Sequence, residues 1–127
     1  MSTGISTYLA NNWFDALGNA TAFSVTTPYI QLHVGDPGAN GTANTATETT
    51  RKSVSFGAAS SGQIVSDADV TWTNISGSQD ATHFSLWDAS SSGNFLGSGT
   101  ITANSYSAGD TYTIPSGQLT LSLTVAA

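Results

Sequence analysis

The chain has 127 residues, no cysteine, and two basic against eight acidic side chains, for a formal net charge of −6. That length suits one domain with a buried core, and the missing thiols exclude a disulfide framework or a thiolate metal site. The two bases, adjacent at Arg51 and Lys52, are too few to neutralise the phosphates of a nucleic acid or to hold an anionic membrane surface.

Only 8% of residues are charged, against about 25% in ordinary soluble domains. Polarity rests instead on Ser, Thr, Asn and Gly. Apolar residues still make up 39% of the chain and aromatics recur along it, which argues for packing rather than disorder. A neutral polar surface loses less hydration free energy than a charged one when it meets a partner, so the composition is compatible with subunit contacts. No apolar run approaches the roughly 20 residues that span a bilayer. No Sec-type signal opens the chain, so its first residues are expected in the mature protein.

The first element is a helix, in "STYLANNWFDALGNAT". Leu9, Trp13 and Leu17 stand four apart, with Ile5 one turn earlier, giving one apolar stripe with Phe14 beside it and Asp15 on the far side. Ser6 or Thr7 caps the start and Gly18–Asn19 marks the stop. Such a helix covers one end of a sheet or docks on a partner.

From Tyr29 the period changes to two. In "YIQLHVG", Ile30, Leu32 and Val34 share the inner face, Gln31 and His33 the outer. Val54 and Phe56 point inward in "RKSVSFG", and Val70 with Trp72 in "ADVTWTNI". In "THFSLWDA", Phe84 and Leu86 face in, while His83, Ser85 and Trp87 face out. Glycines in "GNFLGSGTIT" predict a bulge or a close backbone approach. The last run, "QLTLSLTVAA", alternates Leu119, Leu121, Leu123 and Val125 with Gln118, Thr120, Ser122 and Thr124, the cleanest half-buried strand of the chain. Turn clusters separate these runs, and no βαβ alternation occurs. The expected fold is all-β, an antiparallel β-sandwich of Ig-like or jelly-roll-like type preceded by a short N-terminal α-helix. It is expected as one domain over residues 1–127, with an arm and helix over 1–20 and the sandwich over 28–127.

The stretch "LHVGDPGANGTAN" is the first candidate site. Counting from Asp36, an EF-hand loop finds Asn40 and Gly41 at its fifth and sixth positions. It lacks an oxygen ligand at the third, Gly38, and a glutamate at the twelfth, Thr47, with Glu48 one place late. A phosphate loop lacks its lysine. A tight turn at Asp36–Pro37–Gly38 and another at Asn40–Gly41 fit better, making this a strand end and a long neutral loop.

Catalysis finds no motif. His33 and His83 sit in separate strands, no "GxSxG" elbow positions a serine, and no HExxH or H-x-H spacing supports zinc. Asp67 and Asp69 share a strand face like paired glycosidase carboxylates, at a strand entrance where solvation explains them. No catalytic residue, metal or cofactor is expected. Trp87, alternating away from Phe84 and Leu86, is the best candidate for stacking on a sugar or a subunit.

Three segments together carry a family resemblance: the "LHVGDPG" turn, the "THFSLWDA" strand and the closing "AGDTYTIPSGQLTLSL". With the opening "YLANNWFDALGN", they resemble small phage proteins of the tail fibre or minor tail type from actinobacterial phages and prophages. The resemblance implies a structural virion component, made in the host cytoplasm and mounted on the tail or the capsid surface. Expected partners are copies of itself, a trimer being one arrangement, and tail or major capsid proteins. Capsid decoration and a lectin-like module for host cell-wall glycans are the alternative roles. The expected contacts are Leu9, Trp13 and Leu17 on the helix, Asp36 and Pro37 in the loop, and Trp87.

Overall fold

The computed structural model describes residues 3–123 and 125–126; Met1 and Ser2 of the expected arm, Thr124 of the expected last strand and Ala127 lie outside the described residues. Among the described residues the fold is all-β with one helix, α1 (Thr7–Gly18), followed by β1 (Tyr29–His33), β2 (Lys52–Ser53), β3 (Gln63–Val65), β4 (Val70–Trp72), β5 (Gln79–Trp87), β6 (Phe95–Tyr106), β7 (Tyr112–Ile114) and β8 (Thr120–Ser122). All pairings are antiparallel. One four-stranded sheet runs β2-β1-β5-β6, and two ribbons, β3-β8 and β4-β7, form the second layer of a sandwich.

The core follows from register. Ile30 pairs with Leu86 and Leu32 with Phe84, so the inner faces of β1 and β5 meet as one apolar surface. Val70, Trp72, Tyr112, Ile114 and Leu121 of the ribbons close on it in one continuous cluster. On β6, Gly97 and Gly99 stand opposite Leu86 and Phe84. A Cβ on Gly99 would lie 2.7 Å from the Phe84 ring, and one on Gly97 3.0 Å from the carbonyl of Gly4. The glycines are therefore the close approaches expected of that segment, and a register shift at Leu86/Trp87 supplies the bulge.

The period-two reading holds for the inner faces, and burial departs from it at three places. His33, Ser85 and Trp87 lie on the outer face as expected but are buried there, because that face is covered as well as the inner one. Val34 is 39% exposed, since its strand ends at His33. The last strand stops at Ser122, leaving Leu123 and Val125 exposed. Alternation predicts which residues share a face, but how far each strand stays covered depends on the neighbouring layer.

Candidate functional site

The outer face of the four-stranded sheet carries Gln31, His33, His83, Ser85 and Trp87. The stretch from Gly35 to Thr50 folds down over it. Its turn forms as the sequence predicts: Gly38 has φ +80°, and its N–H donates to Asp36 Oδ1 at 2.8 Å. The loop then reaches His33, whose Nδ1 lies 2.8 Å from the carbonyl oxygen of Ala43. A carbonyl only accepts, so Nδ1 bears the proton and Nε2 of the neutral ring accepts. The Oγ of Ser85, 2.7 Å from Nε2, donates to it. That same oxygen accepts from Trp87 Nε1 at 2.7 Å. The result is one directed chain, Trp87 to Ser85 to His33 to Ala43, with His33 and Ser85 both fully buried.

Burial holds the His33 ring below its ordinary pKa, aided by the His83 imidazole, while the hydrogen bond to Ala43 opposes the shift. The Ser–His spacing is that of an activated nucleophile. Here the serine lies inside the protein, its oxygen is engaged on both sides, and the group orienting His33 is a neutral carbonyl. This pair is a structural lock. Nor can His33 ligate a metal, because its one lone pair is taken by Ser85.

Arg51 closes the same face. Its Cζ sits 4.0 Å above the Trp87 ring, its Nε donates to Gln31 Oε1 at 3.2 Å, and NH1 donates to the carbonyls of Ala89 at 3.0 Å and Ser92 at 2.7 Å. The cation thus pins the β5–β6 loop over Trp87, and Phe95 packs against the same ring at 5.4 Å between centroids. Trp87 is accordingly buried, not an exposed platform.

Glu48 and Asp69, two of the acidic candidates, are held by backbone N–H groups. Glu48, the chain's only glutamate, accepts from Ser76 N at 2.9 Å and Thr50 N at 3.1 Å. Its burial alone would raise the carboxyl's pKa; those hydrogen bonds, with Lys52 nearby, outweigh it and hold the pKa below the ordinary value. Asp69 accepts from Ser116 N at 2.8 Å, and Asp67 and Asp69 are exposed. Among the described residues, no three His, Cys, Asp or Glu side chains come together as a metal site. Glu48 and Arg51 as clamps were missed in the sequence. Each being the only residue of its type is the one signal that marks them.

The helix presents a different surface. Ser6 caps it, its Oγ accepting from Leu9 N at 3.0 Å, and Ser6 N donates to Leu96 O at 2.8 Å, which ties the first turn to the edge of β6. Leu9 is buried there. From the next turn on, the stripe leaves the sheet: Trp13 is 36%, Phe14 70% and Leu17 81% exposed. Beside it runs a groove of about 790 Å³, walled by Trp13, Phe23, Val25, Phe56 and Ile64 and floored by core residues such as Leu121. Of the six expected contact residues, Trp13 and Leu17 are exposed, Asp36 is half-buried, and Leu9, Pro37 and Trp87 are buried.

Fold and surface together define a small β-sandwich whose most distinctive exposed chemistry is an apolar helix beside an apolar groove. Residues 4–122 match the family described as podophage GP4 fiber I protein gp80. The matched span takes in α1 and all eight strands, and the chain belongs to that family of phage fibre proteins, which makes it a virion component. No curated protein matches the chain.

Proposed function

We propose that the chain is a non-enzymatic structural protein of the phage tail, working as one folded unit through protein–protein contact within the particle, with α1 as its principal contact element. The observation that carries this reading is the exposed apolar half of α1. A 12-residue helix that buries only Leu9 spends little of its apolar face on its own fold, and such faces are normally covered in an assembly. The nearly uncharged surface supports the same reading, since little hydration is lost when it is buried. An antibody to this chain, imaged on intact particles, is expected to mark the tail. Label on the head shell would move the role to capsid decoration. A chain absent from purified particles would defeat the proposal.

A second reading has one observation in its favour. Tyr29, Asp88, Ser24 and Thr27 line a polar hollow of about 430 Å³, which sets an aromatic ring and a carboxylate together as sugar sites do. Titration with host cell-wall fragments tests it, with saturable binding lost in Tyr29→Ala as the supporting result.

A further inference from the structure

We infer that Asn40 is a site of spontaneous chemical modification. Its side-chain amide is lost through a cyclic imide formed with the backbone nitrogen of Gly41, which leaves aspartate or isoaspartate in the loop that covers the outer sheet face.

Asn40–Gly41 is the only Asn-Gly pair in the sequence. Ring closure needs the nitrogen of the following residue to reach the asparagine Cγ, and glycine, with no Cβ, leaves that approach open. The Asn40 side chain is exposed. The carboxamides of Asn12, Asn44 and Asn94, by contrast, donate to Tyr8 O, Asp36 O and Asp88 Oδ2 at 2.9 Å each. Each of those asparagines also precedes a bulkier residue, Trp13, Thr45 or Phe95. Gly41 N donates to Gly38 O at 3.2 Å, the long end of the range for such a bond. That bond closes a turn rather than a strand, so freeing the nitrogen opens a local bend alone. In the reaction the Gly41 nitrogen gives up its proton and bonds to Asn40 Cγ, the Cγ–Nδ2 bond breaks, and ammonia leaves. Water then adds to one of the two imide carbonyls. Opening at Cγ returns the ordinary main chain with aspartate. Opening at the main-chain carbonyl gives isoaspartate, in which the chain runs through Cγ. Nothing is oxidised or reduced, and water is the sole co-reactant.

The two products act differently on the fold. Aspartate replaces a neutral exposed side chain with a charged one, adding a negative charge to the formal −6. Isoaspartate lengthens the main chain by one carbon immediately before Gly41. Gly41 is buried with φ +74°, and the Phe95 ring stands where its Cβ would be, so the backbone has no room to move that way. Phe95 in turn packs on Trp87, and Ala43, two residues past Gly41, holds His33 through its carbonyl. Close-packed interiors transmit such displacements. The inserted carbon therefore disturbs the seat of Gly41 on Phe95 and, through Phe95, the packing of Trp87.

Incubating the folded, purified chain in warm, mildly alkaline buffer, followed by peptide mass spectrometry, tests this. The peptide holding Asn40 is expected to gain one mass unit, to take up heavy oxygen when the incubation is run in heavy-oxygen water, and to convert about 10-fold or more faster than any other asparagine. Ion exchange is expected to resolve the products, because an exposed aspartate with a pKa of about 3.9 is ionised at neutral pH. Asn40→Gln is expected to remove the conversion. Asn40→Asp fixes the direct product and is expected to keep the parent's melting and tryptophan emission, whereas the isoaspartyl fraction is expected to melt lower with altered emission. Conversion seen only after unfolding in urea overturns the inference, as does conversion no faster at Asn40 than at Asn44 or Asn94. An isoaspartyl fraction that melts and emits as the parent does overturns the coupling to Phe95 and Trp87.

Discussion

His33 Nε2 lies 2.7 Å from Ser85 Oγ across the diagonal of the β1–β5 pairing. The carbonyl of Ala43 on the far side of the ring permits only one direction of proton donation. With His33 neutral, every donor in the chain from Trp87 to Ala43 has an acceptor. A proton added at Nε2 would turn it into a donor aimed at an oxygen that already accepts from Trp87, and the serine's own proton would lose its acceptor in a dry site.

Stability therefore depends on pH in two windows. His33 has its pKa lowered by burial, so the unfolded chain takes up a proton the fold refuses. Stability is full above the unfolded value of 6.5 and falls as pH drops through it toward the folded value, by up to about 1.4 kcal/mol per pH unit. Glu48, also lowered, adds a second loss below its unfolded value of 4.5. Urea midpoints taken from neutral pH downward are expected to decline in this order. A flat profile above the carboxylate range would show that His33 is not held neutral.

Ser85→Ala leaves His33 Nε2 and Trp87 N–H unpaired in the interior. The expected cost is about 2–4 kcal/mol of unfolding free energy. Thr82 is a natural control: its hydroxyl, half-buried, meets His83 Nδ1 at 2.8 Å near solvent, and Thr82→Ala is expected within about 1 kcal/mol of the parent. Equal costs at the two sites would contradict the account of the buried chain.

Arg51→Lys keeps the charge but not the planar fork. It is expected to lose about 1–2 kcal/mol, to raise amide exchange across Asp88–Asn94, and to alter the emission of Trp87. Unchanged exchange in that loop would mean the loop's own bonds, such as Asn94 N to Asp88 Oδ1 at 2.7 Å, hold it without the arginine.

Gly99→Ala drives a methyl against the Phe84 ring, at 2.7 Å, and within 3.3 Å of Thr120 O. Overpacking of this kind costs about 1–3 kcal/mol. Gly18→Ala at the exposed end of α1, where no atom stands within 4 Å of the added carbon, is expected to be neutral or stabilising by up to about 1 kcal/mol. Thermal melts of the two variants should move apart.

Much of this architecture was legible in the chain itself. The four-residue spacing of Leu9, Trp13 and Leu17 gave the helix, the alternation of Ile30 with Leu32 and of Phe84 with Leu86 gave the inner sheet face, and Asp36–Pro37–Gly38 gave its turn. The outer face was not legible. Alternation assigns His33, Ser85 and Trp87 to the side away from the apolar residues, which is correct, and that side is normally solvated. It is buried here because the Gly35–Thr50 loop and Arg51 lie across it, and nothing in a two-residue period reports a covering loop.

Local pattern thus determined the elements, their faces and the scarcity of charge, because propensity, period and turn chemistry act over a few neighbouring residues. Only the tertiary structure decided which faces stay wet. It buried His33 and Trp87 beneath residues 10 and 36 positions away, Ala43 and Arg51, and it left Phe14 and Leu17 bare by fixing α1 at its first turn alone. Burial is a property of what the rest of the chain brings into contact, and that is set by the packing of layers, not by the residues being covered.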